Sequence, residues 1–140
     1  MPSRRTVFFL SDRTGITAEM LGNSLLSQFE DVAFKRITIP FVDSPEKVEE
    51  AIRLVNETSE IEERRPIVFS SVVDEDASET IRARTKALTL DLFQIFIAPL
   101  FLAAEVFFAL GYKPRLHAAV QERALKVRGS APDATLTPAN

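Results

Sequence analysis

A short polar segment between residues 11 and 17 combines the groups from which an anion site is built. It follows an apolar stretch and leads into a segment with helical spacing. Hydroxyl donors, a glycine and the N–H groups at the start of a helix are the groups that hold phosphate. The candidate substrate-binding residues are Ser11, Asp12, Thr14, Gly15 and Thr17. The alternative is structural, because such side chains commonly do no more than cap a helix.

Two other polar loops also follow apolar stretches. Asp43 and Ser44 precede Pro45, and Ser70 and Ser71 are followed by the acidic segment 74–76. In parallel α/β sheets, ligands bind beyond the carboxyl ends of the strands, where all three loops would lie. We interpret the second and third loops mainly as helix caps, with a hydroxyl or metal site as the alternative for the third.

The sequence contains no complete catalytic constellation. A phosphate-binding P-loop needs a lysine inside a glycine-rich turn, and no lysine of this chain follows a glycine. Cysteine is absent and there is one histidine, so we assign no catalytic residue and no metal ligand. The formal net charge of −3 argues against nucleic acid as a partner.

The elements that position these loops alternate between strand and helix. Apolar or β-branched runs predict strands over 6–11, 34–42 and 66–73. Helical spacing predicts a first helix over 17–29 and a second that begins after Ser44 as its N-cap. A third, long helix is predicted to begin at the Asp76–Glu79 capping pair and to continue through Phe96. Pro99 should end or kink this third helix. Residues 57–65 read as a charged connector. The pattern predicts an α/β fold, a three-layer-like βαβαβα lobe with a small parallel sheet and a long C-terminal helix.

The composition changes near residue 110. We expect an N-terminal α/β regulatory lobe over 1–110 and a basic, Ala/Pro-rich, poorly ordered tail over 111–140. The apolar stretch 95–110 is shorter than a membrane span, and we expect a buried or partner-facing helix there. The apolar run near the N-terminus is too short for a signal peptide, which favours the cytoplasm.

The segment Ser11-Asp-Arg-Thr-Gly-Ile-Thr-Ala-Glu19 resembles the Ser-Asp-Gly-Thr-Gly-Ile-Thr-Ala-Glu signature of the phosphoenolpyruvate synthase and pyruvate, phosphate dikinase regulatory proteins. Further matches follow in the family's order at 27–29, 39–43, 65–69, 91–94 and 98–100. The resemblance implies a bifunctional regulator: a Ser/Thr kinase that uses ADP to phosphorylate a threonine of its target, and a pyrophosphorylase that removes that phosphate with inorganic phosphate. The implied partner is the synthase or the dikinase, and a homodimer is left open.

The chain departs from the family pattern in three places. Arg13 replaces a signature glycine, which would strain the turn if that position has a positive φ. The family's nucleotide-binding P-loop has no counterpart, so we expect no nucleotide cofactor in this chain and no activity from it alone. Past Leu100 we expect the family pattern to stop, as in a frameshifted or truncated reading frame. The alternative function is a non-enzymatic protein-binding module that uses the 95–110 helix.

Overall fold

The computed structural model describes residues 3–109, in which strands and helices alternate. The strands are β1 (Ser3–Leu10), β2 (Val32–Ile39), β3 (Ile67–Ser70) and β4 (Leu88–Asp91). The helices are α1 (Ile16–Leu26), α2 (Pro45–Glu62), α3 (Glu75–Arg84) and α4 (Ala98–Ala109), and a π-helical turn spans Phe93–Ile97. The chain divides after Leu92 into two compact units.

The first unit is built on a parallel sheet of four strands in the order β2-β1-β3-β4. β1 lies between β2 and β3, and its apolar run is buried on both faces. Alternate side chains of a strand point to opposite faces. Phe8 and Leu10 accordingly belong to one core, while Val7 and Phe9 belong to another. The predicted α/β class and small parallel sheet are confirmed.

Helices cover both faces of this sheet. Val48 and Val55 of α2 and Ile81 of α3 pack in the core that contains Phe8. On the opposite face, Ala18 and Leu26 of α1 pack with Phe9 and its stacked neighbour Phe69, whose ring centroids are 5.8 Å apart. The sheet therefore lies between two helical layers, as predicted.

The prediction of one long helix from residue 76 towards Pro99 is wrong. α3 ends at Arg84, where the hydroxyl of the C-cap residue Thr85 donates to the carbonyl oxygen of Ile81 at 2.7 Å. The Leu88 N–H then donates to the Pro66 carbonyl at 2.8 Å, and β4 pairs in parallel with β3. The structure thus has a fourth strand where the leucine spacing indicated helix.

Two smaller expectations are also corrected. The stretch 57–65 is not a connector for most of its length, because α2 continues to Glu62. Glu57 and Glu60 are exposed on that helix, and exposed charged residues are typical of the solvent face of a helix. The α3 cap is Asp74, whose carboxylate accepts from the Ala77 N–H at 2.8 Å, rather than the Asp76–Glu79 pair. The Ser44 N-cap of α2 is confirmed.

The second unit contains the π-helical turn and α4. Pro99 does not end a helix: the π-helical turn Phe93–Ile97 continues directly into α4, and Pro99 is the second residue of α4. None of the helices within 3–109 has the length and apolar character needed to cross a membrane. The predicted tail over 111–140 lies outside the described residues, and the boundary predicted after residue 110 stays a prediction.

Candidate functional site

The loops that follow β1, β2 and β3 meet at the carboxyl edge of the sheet. From the central β1 the chain crosses to β2 on one side, and from β3 it continues to β4 on the other. This change of direction makes a topological switch point, where doubly wound sheets bind their ligands. A cleft of about 600 Å³ lies beside it, with α2 and α3 starting at its border.

The cleft is lined by residues from all three loops. Asp12 follows β1, Asp43 and Ser44 follow β2, and Asp74 and Asp76 follow β3. Sequence reasoning placed these loops at one edge, and the structure brings these members of each loop into a single cleft. None of the lining residues is basic, so the cleft does not suit a phosphate group that arrives without cations.

Asp12 connects two of the loops. Its Oδ2 accepts a hydrogen bond from the backbone N–H of Val73 at 3.0 Å, across 61 residues of sequence. The Ser71 N–H donates to the Leu10 carbonyl at 2.9 Å in the same region. A carboxylate that accepts from a partly buried amide is a strong hydrogen-bond acceptor. Asp12 therefore fixes the loop after β1 against the loop after β3, besides lining the cleft.

The signature loop adopts a tight conformation before α1. Ser11 is buried, and its Oγ accepts from the Arg13 N–H at 3.0 Å. Gly15 is the N-cap of α1, with φ +88 and no side-chain cap hydrogen bond. The capping alternative for Ser11, Asp12, Thr14 and Thr17 is therefore not what the structure shows. Arg13 has no positive φ, so the replacement of the signature glycine does not create left-handed strain at that position.

The remaining candidates lie apart from the cleft. Thr14 and Thr17 are exposed and Gly15 is buried, and none of the three lines the cleft. A Cβ added to Gly15 would come within 2.9 Å of Thr38 Cγ2, so this glycine allows the start of α1 to approach β2 closely. The loop thus has two surfaces, with Asp12 on the cleft and the threonines on the exposed side.

One carboxylate of the cleft is already paired. Glu49 accepts from the two terminal guanidinium nitrogens of Arg84, Nη1 and Nη2, with Nη2 2.9 Å from Oε2. The hydrogen bond from Arg84 holds the pKa of Glu49 below its usual range, and Glu49 raises the pKa of Arg84. Within residues 3–109, no group of three or more His, Cys, Asp or Glu side chains has the arrangement of a metal site.

Phe41 borders the same edge in an unusual conformation. Its φ is 57, in the left-handed region that bulky residues rarely occupy, and the residue is 53% exposed. For a residue with a Cβ this region costs about 1–2 kcal/mol. The Phe41 N–H donates to the Arg13 carbonyl at 2.8 Å, which connects Phe41 to the signature loop.

Sequence reasoning missed several residues of this edge. Glu49 and Thr80 also line the cleft. Each lies four residues after a position that the sequence had singled out, Pro45 or Asp76, so helical periodicity could have found them. No sequence pattern predicts that the backbone amide of Val73 donates to Asp12. No sequence pattern predicts the positive φ of Phe41 either.

With this geometry in place, comparison with known proteins shows the family. The profile of the kinase/pyrophosphorylase family matches residues 7–124, and the chain belongs to that family. The match continues past Leu100, where the resemblance was expected to stop.

The relatives carry a consistent name. The phosphoenolpyruvate synthase regulatory protein of Polaromonas naphthalenivorans is 48% identical over 98 residues, which is 70% of this chain and 36% of the relative. The protein of the same name from Herminiimonas arsenicoxydans is 48% identical over 99 residues, 71% of this chain and 34% of the relative. That of Hahella chejuensis is 43% identical over 97 residues, 69% and 35% respectively. The chain spans about a third of the length of these curated relatives.

Proposed function

We propose that this chain is the N-terminal portion of a bifunctional regulator of phosphoenolpyruvate synthase or pyruvate, phosphate dikinase. The whole protein would phosphorylate a threonine of its target with ADP and remove that phosphate by phosphorolysis. The observation that carries this proposal is the family match over residues 7–124. We also propose that the protein acts in the cytoplasm.

The signature loop is the part of this chain that we propose to contact substrate. Its exposed side presents Thr14 and Thr17, and no side chain caps α1. The N–H groups of a first helical turn lack intrahelical partners and attract anions. A phosphate on the exposed side would also avoid the carboxylates of the cleft. Ser11, Asp12 and Gly15 would shape the loop rather than neutralise charge.

We propose that the chain by itself does not transfer phosphate. Phosphoryl transfer depends on a lysine and a metal ion that neutralise charge at the transferred group. The chain has no lysine after a glycine, and the acidic cleft offers no cationic side chain. In the whole family protein ADP and phosphate would be the substrates, and this lobe would orient the partner or hold a phosphate.

The test is a phosphotransfer assay with purified phosphoenolpyruvate synthase and labelled ADP. The chain alone should leave the synthase unlabelled, and the full-length Polaromonas naphthalenivorans relative serves as the positive control. Threonine labelling by the chain alone would contradict its proposed inactivity. Absence of labelling with the relative would contradict the kinase half of the bifunctional assignment.

A ligand titration tests the loop separately. Inorganic phosphate should raise the melting temperature of the chain, because a ligand that binds only the folded state stabilises it. Thr17→Val should reduce that rise. Thr58→Val is the matched control, because the Thr58 hydroxyl donates to Leu54 of its own helix. Equal shifts in both variants would remove Thr17 from the site.

The alternative is a non-enzymatic protein-binding module. Ile95, Phe96 and Leu100 of the second unit are large apolar side chains that are at least 41% exposed. Exposed apolar patches often mark protein interfaces. Binding of the synthase that neither ADP nor phosphate changes, together with no labelling by the full-length relative, would favour this function.

A further inference from the structure

Phe41 is unfavourable in two ways at once. Its backbone has φ 57 and the residue is 53% exposed. The only other non-glycine residue with a positive φ within 3–109 is Glu63, with φ 51. Glu63 is the C-cap of α2, a position where the left-handed conformation is common. Phe41 follows a strand, so no helix end explains its conformation.

The neighbouring loop holds Phe41 in this conformation. Its N–H donates to the Arg13 carbonyl, and the next N–H, that of Val42, donates to the Ser11 carbonyl, both at 2.8 Å. The Val42 side chain is 2% exposed and belongs to the core beneath α2. The buried Val42 side chain and the hydrogen bond to the Arg13 carbonyl together fix the backbone at Phe41. The Phe41 ring lies outside the core.

The core does not require this ring. Phe41 belongs to neither buried cluster of the sheet, and glycine would adopt the same φ without strain. Strained residues of this kind concentrate at functional sites. Asp43, two residues after Phe41, is exposed and lines the acidic cleft.

We propose that Phe41 is an anchor residue for the enzyme that this family regulates. Its ring would enter an apolar pocket on the partner, and basic side chains beside that pocket would face Asp43. Aromatic anchors dominate the affinity of many interfaces, and a ring held in place before binding loses little freedom when it docks. This inference rests on the proposed function, because it takes its partner from there.

The experiment measures binding of the whole chain to phosphoenolpyruvate synthase by biolayer interferometry. Phe41→Ala should weaken the affinity about tenfold or more, as truncation of an interface anchor does. Glu63→Gly is the matched control: it relieves the other positive φ and should leave the affinity unchanged. Urea denaturation should show Phe41→Gly unfolding at a higher urea concentration than Phe41→Ala, because only glycine is unstrained at this φ.

The possible results separate this inference from the proposed function. Equal affinities for the unaltered chain and Phe41→Ala would overturn the anchor and leave the proposed function standing. No binding by the unaltered chain would overturn both the partner and its anchor. An ADP-dependent rise in melting temperature that Phe41→Ala abolishes, with synthase binding retained, would mean that the ring stacks on a nucleobase and would overturn the protein anchor.

Discussion

On one face of the sheet α1 packs through Ala18, Gly22 and Leu26, whereas on the other α2 and α3 pack mainly through valine and isoleucine side chains. A Cβ added to Gly22 would lie 2.3 Å from Phe9 Cε1 and 3.0 Å from Phe69 Cδ2. The opposite core uses Val48, Ile52 and similar residues to fill the space between helix and sheet. The α1 face therefore depends on close backbone approach, and the α2–α3 face on side-chain volume.

The outer surfaces of these helices differ as well. Within Ile16–Leu26 the only charged residue is Glu19, and Met20 and Leu25 are exposed. Outside the opposite face, Glu49 pairs with Arg84 and Glu60 pairs with Lys86. Charged outer faces are typical of helices whose outer face is exposed to solvent. Uncharged, partly apolar surface on α1 is more typical of a helix that meets another surface, and it adjoins the loop that carries the family signature.

The largest effect on stability is expected from one methyl group added at Gly22, which tests whether α1 depends on close approach to the sheet. Gly22→Ala should lower the free energy of unfolding by about 3 kcal/mol, the upper range for overpacking. Phe9 is 1% exposed and stacked on Phe69, so the rings have little room to move. Chemical denaturation measures the effect.

Ser24→Ala is the control for Gly22→Ala, because it makes a small change on the exposed side of the same helix. It should shift stability by no more than about 0.5 kcal/mol. Equal stabilities of the two variants would show that α1 does not rely on close approach to the sheet.

A second substitution tests the same dependence at the start of α1. Gly15→Ala should cost about 1–2 kcal/mol, since alanine at φ +88 is strained. Its Cβ would also press on Thr38 Cγ2. Thr38→Ser removes that methyl and keeps the hydroxyl that donates to Glu19. In a double-mutant cycle, Thr38→Ser should recover the steric part of the cost and leave the conformational part. Full recovery would place the whole cost in the contact with Thr38.

The sequence predicted the parts of this fold that depend on local pattern. The unbroken apolar run Val7–Leu10 identified a strand, and Ser44-Pro45 identified the start of α2. β4 was missed because Leu88 and Leu92 lie at helical spacing, while the pairing that makes 88–91 a strand comes from β3. Four-residue strands leave little periodicity of their own, and nonlocal contacts decide their state.

The site divides in the same way. Parallel topology was enough to place Asp12, Asp43 and Asp74 at one edge. The hydrogen bond from Val73 to Asp12 joins residues 61 positions apart, and neither spacing nor composition indicates such a pair. The left-handed φ of Phe41 was equally hidden, because the residue type itself argues against it.

The smallest effect on stability is expected for the Glu49–Arg84 ion pair, which lies on the α2–α3 side of the sheet. The hydrogen bond from Arg84 lowers the folded-state pKa of Glu49 below its ordinary value. The pair's contribution to stability should therefore be present above about pH 4.5 and be lost as the pH falls through the lowered folded-state pKa. Glu49→Gln should therefore flatten the dependence of the unfolding midpoint on pH below about pH 4.5. It should also weaken the dependence of the midpoint on salt, because exposed ion pairs are screened. Glu50→Gln, one residue along α2, is the control, because Glu50 has no ion-pair partner within residues 3–109.

Since both groups of the Glu49–Arg84 pair are half exposed, the change in stability on Glu49→Gln should be far smaller than that on Gly22→Ala. A Glu49→Gln profile that parallels the unaltered chain from pH 7 to about pH 3 would show that this pair contributes nothing and that side-chain volume alone stabilises its face.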